Sequence, residues 1–84
     1  MARSIKVLGT GCLMCQKLFD NTAEAMKHLG IDEELEMITN VNEIIAYGVT
    51  VTPALVINDM VWTSGDVPSA NEIEEIFRKQ EKIT

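Results

Sequence analysis

Ile5-Lys6-Val7-Leu8-Gly9-Thr10-Gly11-Cys12-Leu13-Met14-Cys15 changes its periodicity part-way along, and that change decides the fold. Ile5 to Leu8 is a short apolar run, interrupted by one lysine and closed by glycines, and reads as a first strand. From Cys12 the spacing turns helical. Cys15, Leu18, Phe19, Thr22, Met26 and Leu29 recur at three- and four-residue steps, until Gly30 stands where a C′ glycine ends a helix. Both cysteines of the chain therefore sit where a strand's exit loop meets a helix N-terminus. Residues three apart in a helical turn share a face, so the two sulfurs reach disulfide geometry with little backbone movement. Cys12 meets the unpaired N–H groups and the positive end of the helix dipole, which favours thiolate and makes it the expected nucleophile. Cys15, one turn in, is the expected resolving thiol, set to attack a mixed disulfide.

Working outward, Leu35 to Ile38 alternates as a second strand, and Asn40 with Glu43 resembles a capping pair opening a short helix through Ile44, Ile45 and Tyr47. Gly48 ends it. Pro53 to Ile57 is a third strand, and Asn58-Asp59 is a two-residue hairpin turn into Met60-Val61-Trp62. After the break at Ser64-Gly65-Asp66-Val67-Pro68, a capping box of Ser69 and Glu72 introduces a last helix with Ile73, Ile76, Phe77 and Ile83 on one face. The order is β-α-β-α-β-β-α. This is an α/β fold in which the first β-α-β unit is parallel and the closing hairpin makes a four-stranded mixed sheet with three helices. Residues 1–84 read as one domain. Met26, Met37 and Met60 are expected as core filler and Tyr47 as a packing residue, while Trp62 reads either as core or edge-strand packing or as part of an apolar rim with Leu13 and Met14 around the cysteines. Lys6 is the anomaly: in a central strand it must snorkel to a sheet end or meet a carboxylate.

Composition narrows the function classes. Eighty-four residues, 46% of them apolar and 24% charged, suit one small globular domain. Seven basic against thirteen acidic residues give a net charge of −6, which repels a phosphate backbone, so no nucleic-acid partner is expected. No apolar run approaches the roughly 20 residues of a membrane span, and Met1-Ala2-Arg3-Ser4 runs straight into a strand pattern without a signal-peptide core. A cytoplasmic monomer is expected. Thiols are kept reduced there, and a bridge between Cys12 and Cys15 would close too short a loop to act as a staple, so the pair reads as catalytic or metal-binding. Zinc needs two further ligands. The other imidazole or thiol candidate, His28, lies thirteen residues beyond Cys15 on the same helix, roughly 20 Å away at 1.5 Å per residue, and reads as a surface histidine.

Thr50-Val51-Thr52-Pro53 opens the third strand, and by itself Pro53 is a strand-start proline. Joined to a Cys-x-x-Cys at the first β-α junction, the whole chain resembles the thioredoxin superfamily. More narrowly, Thr52-Pro53-Ala54-Leu55-Val56-Ile57-Asn58 followed by Ser64-Gly65-Asp66-Val67-Pro68-Ser69 is similar to the small thioredoxin-like proteins called redox-active disulfide protein 2. The resemblance implies a thiol–disulfide oxidoreductase with Cys12 and Cys15 as its redox pair. It implies a cis-proline role for Pro53, and a Thr52 backbone offered to an extended substrate segment. Gly11, Leu13 and Met14 would face substrate around the cysteines, and Gly65 across from them. It departs from thioredoxins proper in having Gly11 before the first cysteine and Leu13-Met14 between the two. It departs from glutaredoxins in Gly9, Met14 and Ser64-Gly65, which leaves only Gly65-Asp66 and the segment before Pro53 to grip a glutathione.

The implied partners are protein or low-molecular-weight disulfides, with a disulfide reductase or a thiol as electron donor. No organic cofactor or resident metal is expected, the redox group being the Cys12–Cys15 disulfide. On the residues alone two other readings stay open. One is a Cu- or Zn-binding chaperone-like module using Cys12 and Cys15, a class whose β-α-β-β-α-β order differs from this one. The other is a non-catalytic redox-sensing module.

Overall fold

The computed structural model describes residues 4–10 and 13–83. Its elements run β1 (Ile5–Leu8), α1 (Leu13–Leu29), β2 (Leu35–Ile38), α2 (Val41–Ala46), β3 (Ala54–Ile57), β4 (Met60–Ser64) and α3 (Ala70–Ile83), the order expected from the sequence. The sheet order is β2-β1-β3-β4, with β1 parallel to β2 and antiparallel to β3, and β3 antiparallel to β4. It is the mixed four-stranded α/β sheet that the element pattern predicts.

Strand alternation sorts the core into two layers. Ile5 and Val7 of β1 and Leu55 and Ile57 of β3 pack with Leu18, Ala25 and Met26 of α1 and Ile73 and Phe77 of α3. On the opposite face Leu8, Ala54 and Val56 pack with Ile44 of α2 and Val49. β3 is covered on both faces, and all four of its residues are buried; hence its sequence is a continuous apolar run rather than an alternating one.

The helix ends follow from local chemistry. At the α1 exit Gly30 takes φ 69°, the Ile31 N–H donates to the Met26 carbonyl at 2.9 Å and the Gly30 N–H to Lys27 at 3.3 Å, which is a Schellman motif. Asn40 caps α2, its side chain accepting from the N–H groups of Asn42 at 2.9 Å and Glu43 at 3.3 Å. The Glu72 N–H donates to Ser69 Oγ at 3.3 Å at the start of α3. On α3, Gln80 is buried beside the expected Ile73 and Phe77, while the side chain of Ile83 lies outside the described residues.

Two expectations need correction. Lys6 meets a phenol rather than a carboxylate: its Nζ donates to the Tyr47 hydroxyl at 2.9 Å and lies 5.6 Å from the ring centre. That bond holds the Lys6 ammonium above its ordinary range, partial burial opposes it, and Glu36 and Asp59 add weaker attraction. Met60 is not core filler; it is 47% exposed, because it follows the Asn58-Asp59 turn directly, where both residues take positive φ. His28 is exposed, as read, and has a partner across the helix pair: its Nδ1 lies 3.2 Å from Glu74 of α3.

Candidate functional site

The β1–α1 junction is built around a buried sulfur. β1 ends at Leu8, and the Gly9 N–H donates to the Ile38 carbonyl of β2 at 3.0 Å, so the chain leaves the sheet with Gly9 buried and Thr10 exposed. Gly11 and Cys12, expected as a substrate-facing residue and the nucleophile, lie outside the described residues. α1 buries the stripe Cys15, Leu18, Thr22, Ala25 and Met26 against the sheet, which puts Cys15 at 0% exposure in the first turn. Leu13 and Met14 precede that stripe and point away from it, 90% and 51% exposed. Gly9 is the other wall of the Cys15 site: a Cβ built on it would overlap Cys15 Sγ.

The segment ahead of β3 lies beside this junction because of strand register. Leu8 pairs with Ala54 in the antiparallel β1–β3 ladder, so Gly9 leaves the sheet next to the point where Pro53 enters it. The Thr52–Pro53 peptide bond is cis; Pro53 is buried and Thr52 half-buried. The loop is tied to the end of β4 by two bonds, Ser64 Oγ to the Val51 carbonyl and the Gly65 N–H to the Pro53 carbonyl, both 2.8 Å. Gly65 has φ 82°, and a Cβ on it would come within 2.7 Å of Val51 Cγ1. Glycine is required there twice over, by the backbone and by the space.

Around these two segments the structure exposes apolar residues that the sequence pattern did not single out. Val41, Ile45 and Val51 are each more than half exposed. An open cleft of about 430 Å³ runs from Thr10 past Val41, Ile44, Ile45 and Val49 to Thr52. Two successive isoleucines of a helix cannot both face the sheet, and only docking reveals that Ile44 goes inward and Ile45 outward. Trp62 takes no part in this surface. A bulge in the β3–β4 ladder, where Leu55 pairs with Thr63 but Val56 with Val61, leaves Trp62 as the extra residue and turns it onto the α1–α3 core.

Among the described residues no group of three or more His, Cys, Asp or Glu is gathered as a metal-binding cluster, and no helix is long and apolar enough to cross a membrane. A family model described as a thioredoxin domain matches residues 3–78, which takes in both segments of the site. The chain belongs to the thioredoxin family. It is 42% identical over 71 residues to a thioredoxin of Methanocaldococcus jannaschii, covering 84% of this chain and 81% of that one. It is also 42% identical over 73 residues to a thioredoxin of Methanothermobacter thermautotrophicus, covering 87% and 95%. Thioredoxin-family membership agrees with the resemblance read from the Cys-x-x-Cys and the strand-opening proline, and with the element order.

Proposed function

We propose that this thioredoxin-family chain is a thiol–disulfide oxidoreductase in which Cys12 is the nucleophile and Cys15 the resolving thiol. The observation that carries the reading is the buried Cys15 in the first turn of α1, at the end of a strand whose register brings Pro53 alongside. Cys12 directly precedes the first residue of α1, where unpaired N–H groups and the helix dipole stabilise a thiolate. Its attack on a substrate disulfide leaves a mixed disulfide, which Cys15 resolves from inside. The half-buried Thr52 offers its backbone to an extended substrate segment beside Pro53. In this reading the exposed Leu13 and Met14, and Gly65 after β4, contribute to substrate binding, a role assigned to Gly11 from the sequence alone. Substrates are protein or low-molecular-weight disulfides, and a disulfide reductase or a small thiol returns the pair to the dithiol.

Reduction of insulin disulfides tests this. Wild type should accelerate precipitation of the insulin B chain with dithiothreitol as donor, and Cys12→Ser should reduce the rate to that of dithiothreitol alone. A Cys12→Ser variant as active as wild type would sink the reading. Cys15→Ser should instead accumulate a covalent adduct with the substrate, visible by mass spectrometry.

A further inference from the structure

A Cβ on Gly9 would overlap Cys15 Sγ and lie 2.9 Å from Cys15 Cβ. The chain path does not ask for glycine at this position. Gly30, Gly48 and Gly65 take φ of 69, 81 and 82°, whereas Gly9 is not in the positive-φ region, so its missing side chain serves the contact alone. Neither partner is free to step aside. Gly9 is buried and held by its N–H on the Ile38 carbonyl, and Cys15 is enclosed on the stripe of α1 that packs against the sheet. Within a helix a side chain has essentially two χ1 wells, since the third drives it into the preceding turn. A sulfur displaced from one well therefore jumps to a distinct position rather than shifting slightly.

We propose that Gly9 is the positioning residue for the Cys15 thiol, its empty side-chain space being the seat from which Cys15 resolves the mixed disulfide. This rests on the reading of Cys12 and Cys15 as a redox pair. In that cycle the Cys12 thiolate attacks the substrate disulfide, forming a Cys12–substrate bond and expelling one substrate thiolate. The Cys15 thiolate then attacks the Cys12 sulfur; the Cys12–substrate bond breaks, the Cys12–Cys15 bond forms and the second substrate thiolate leaves. Two electrons pass from the dithiol to the substrate, and the two cysteine protons end on the two substrate thiols. Cys15 is the attacking group only in the second step. A reacting atom misplaced by about 1 Å can cost on the order of a hundredfold in rate, so a side chain at Gly9 slows resolution and leaves the first attack alone.

The test is the reaction of reduced protein with one equivalent of 5,5′-dithiobis(2-nitrobenzoate), which releases thionitrobenzoate once on Cys12 attack and again on resolution by Cys15. In Gly9→Ala the first phase should keep its wild-type rate and the second should slow by at least about tenfold. The Cys12/Cys15 couple should also shift toward the oxidising side by about tenfold in its equilibrium with glutathione, about 30 mV. Equal second phases in wild type and Gly9→Ala overturn the proposal. A wild type with no second phase is a different result, because it overturns the redox-pair reading itself and the proposal with it. Stability supplies a readout without catalysis: Gly9→Ala should lower the urea midpoint in the native background and much less in a Cys15→Gly background, where both contacting atoms of Cys15 are gone. If Gly9→Ala does not fold, Gly9→Ala/Cys15→Gly should. Equal losses in the two backgrounds, or failure of both variants to fold, mean that the backbone and not the sulfur needs Gly9, and overturn the proposal.

Discussion

Single side chains, present or missing, set the local geometry of both halves of the site. Gly65 combines φ 82° with a 2.7 Å approach of its notional Cβ to Val51. Gly65→Ala should cost about 1–2 kcal/mol from the left-handed backbone alone and more from the contact. Urea unfolding should then show Val51→Ala returning the contact part of the loss but not the backbone part; full recovery would mean that φ is not the constraint. Lys6 and Tyr47 stand 41 positions apart, and no pattern along the chain joins them. Tyr47→Phe removes the acceptor of a half-buried charged donor that still reaches solvent, and should cost about 0.5 kcal/mol at pH 7. Because folding raises the Lys6 pKa, this contribution is fully present below the ordinary lysine value and is lost as pH rises through the raised one. The gap between wild type and Tyr47→Phe in urea should therefore be constant from pH 6 to 9 and close in stronger alkali. The place of Cys15 on the buried stripe of α1 was legible because helical periodicity is a local property; the partner of Lys6 was not.

Elements this short depend on their ends and on docking. α2 has six residues, well under the roughly 12–15 that make an isolated helix even marginal in water, so it is held by its Asn40 cap and by Ile44 on the sheet. Asn40→Ala should cost about 1 kcal/mol. Amide exchange should then quicken about fivefold in 41–46, ahead of any change in β3; uniform quickening across the chain would show instead that α2 unfolds only with the whole. The capping residues, the Gly30 stop and the Asn58-Asp59 turn could all be read from the sequence, since each acts within a few residues of itself. The bulge opposite Leu55 and Val56 could not. It depends on how β4 pairs with β3, and it sends Trp62 to the core while Met60 stays outside.

At the scale of the molecule, a radius of gyration of 11.7 Å matches the roughly 12 Å expected for a folded chain of this length, and nearly all its stability must come from the two layers on the sheet. Eighty-four residues imply about 4–13 kcal/mol in total. Phe77, 1% exposed and shared by α1, α3 and the sheet, should cost about 3–5 kcal/mol when cut to alanine. Phe77→Ala should accordingly lower Tm by at least about 12 °C in a thermal melt; a shift of only a few degrees would show that α3 is not held by this core. By itself the sequence determined the identity and order of the elements, the parallel start and antiparallel finish of the sheet, and the position of Cys15 in the first turn of a helix. Periodicity, caps and turn residues all act over a few residues, so they are written locally. Only the tertiary structure decided that Gly9 walls the Cys15 sulfur, that Pro53 enters the sheet beside it, and that Val41, Ile45 and Val51 border the same cleft. Those neighbours are separated by up to about forty residues of chain, and strand order and register, which bring them together, are properties of the packed sheet rather than of any one segment.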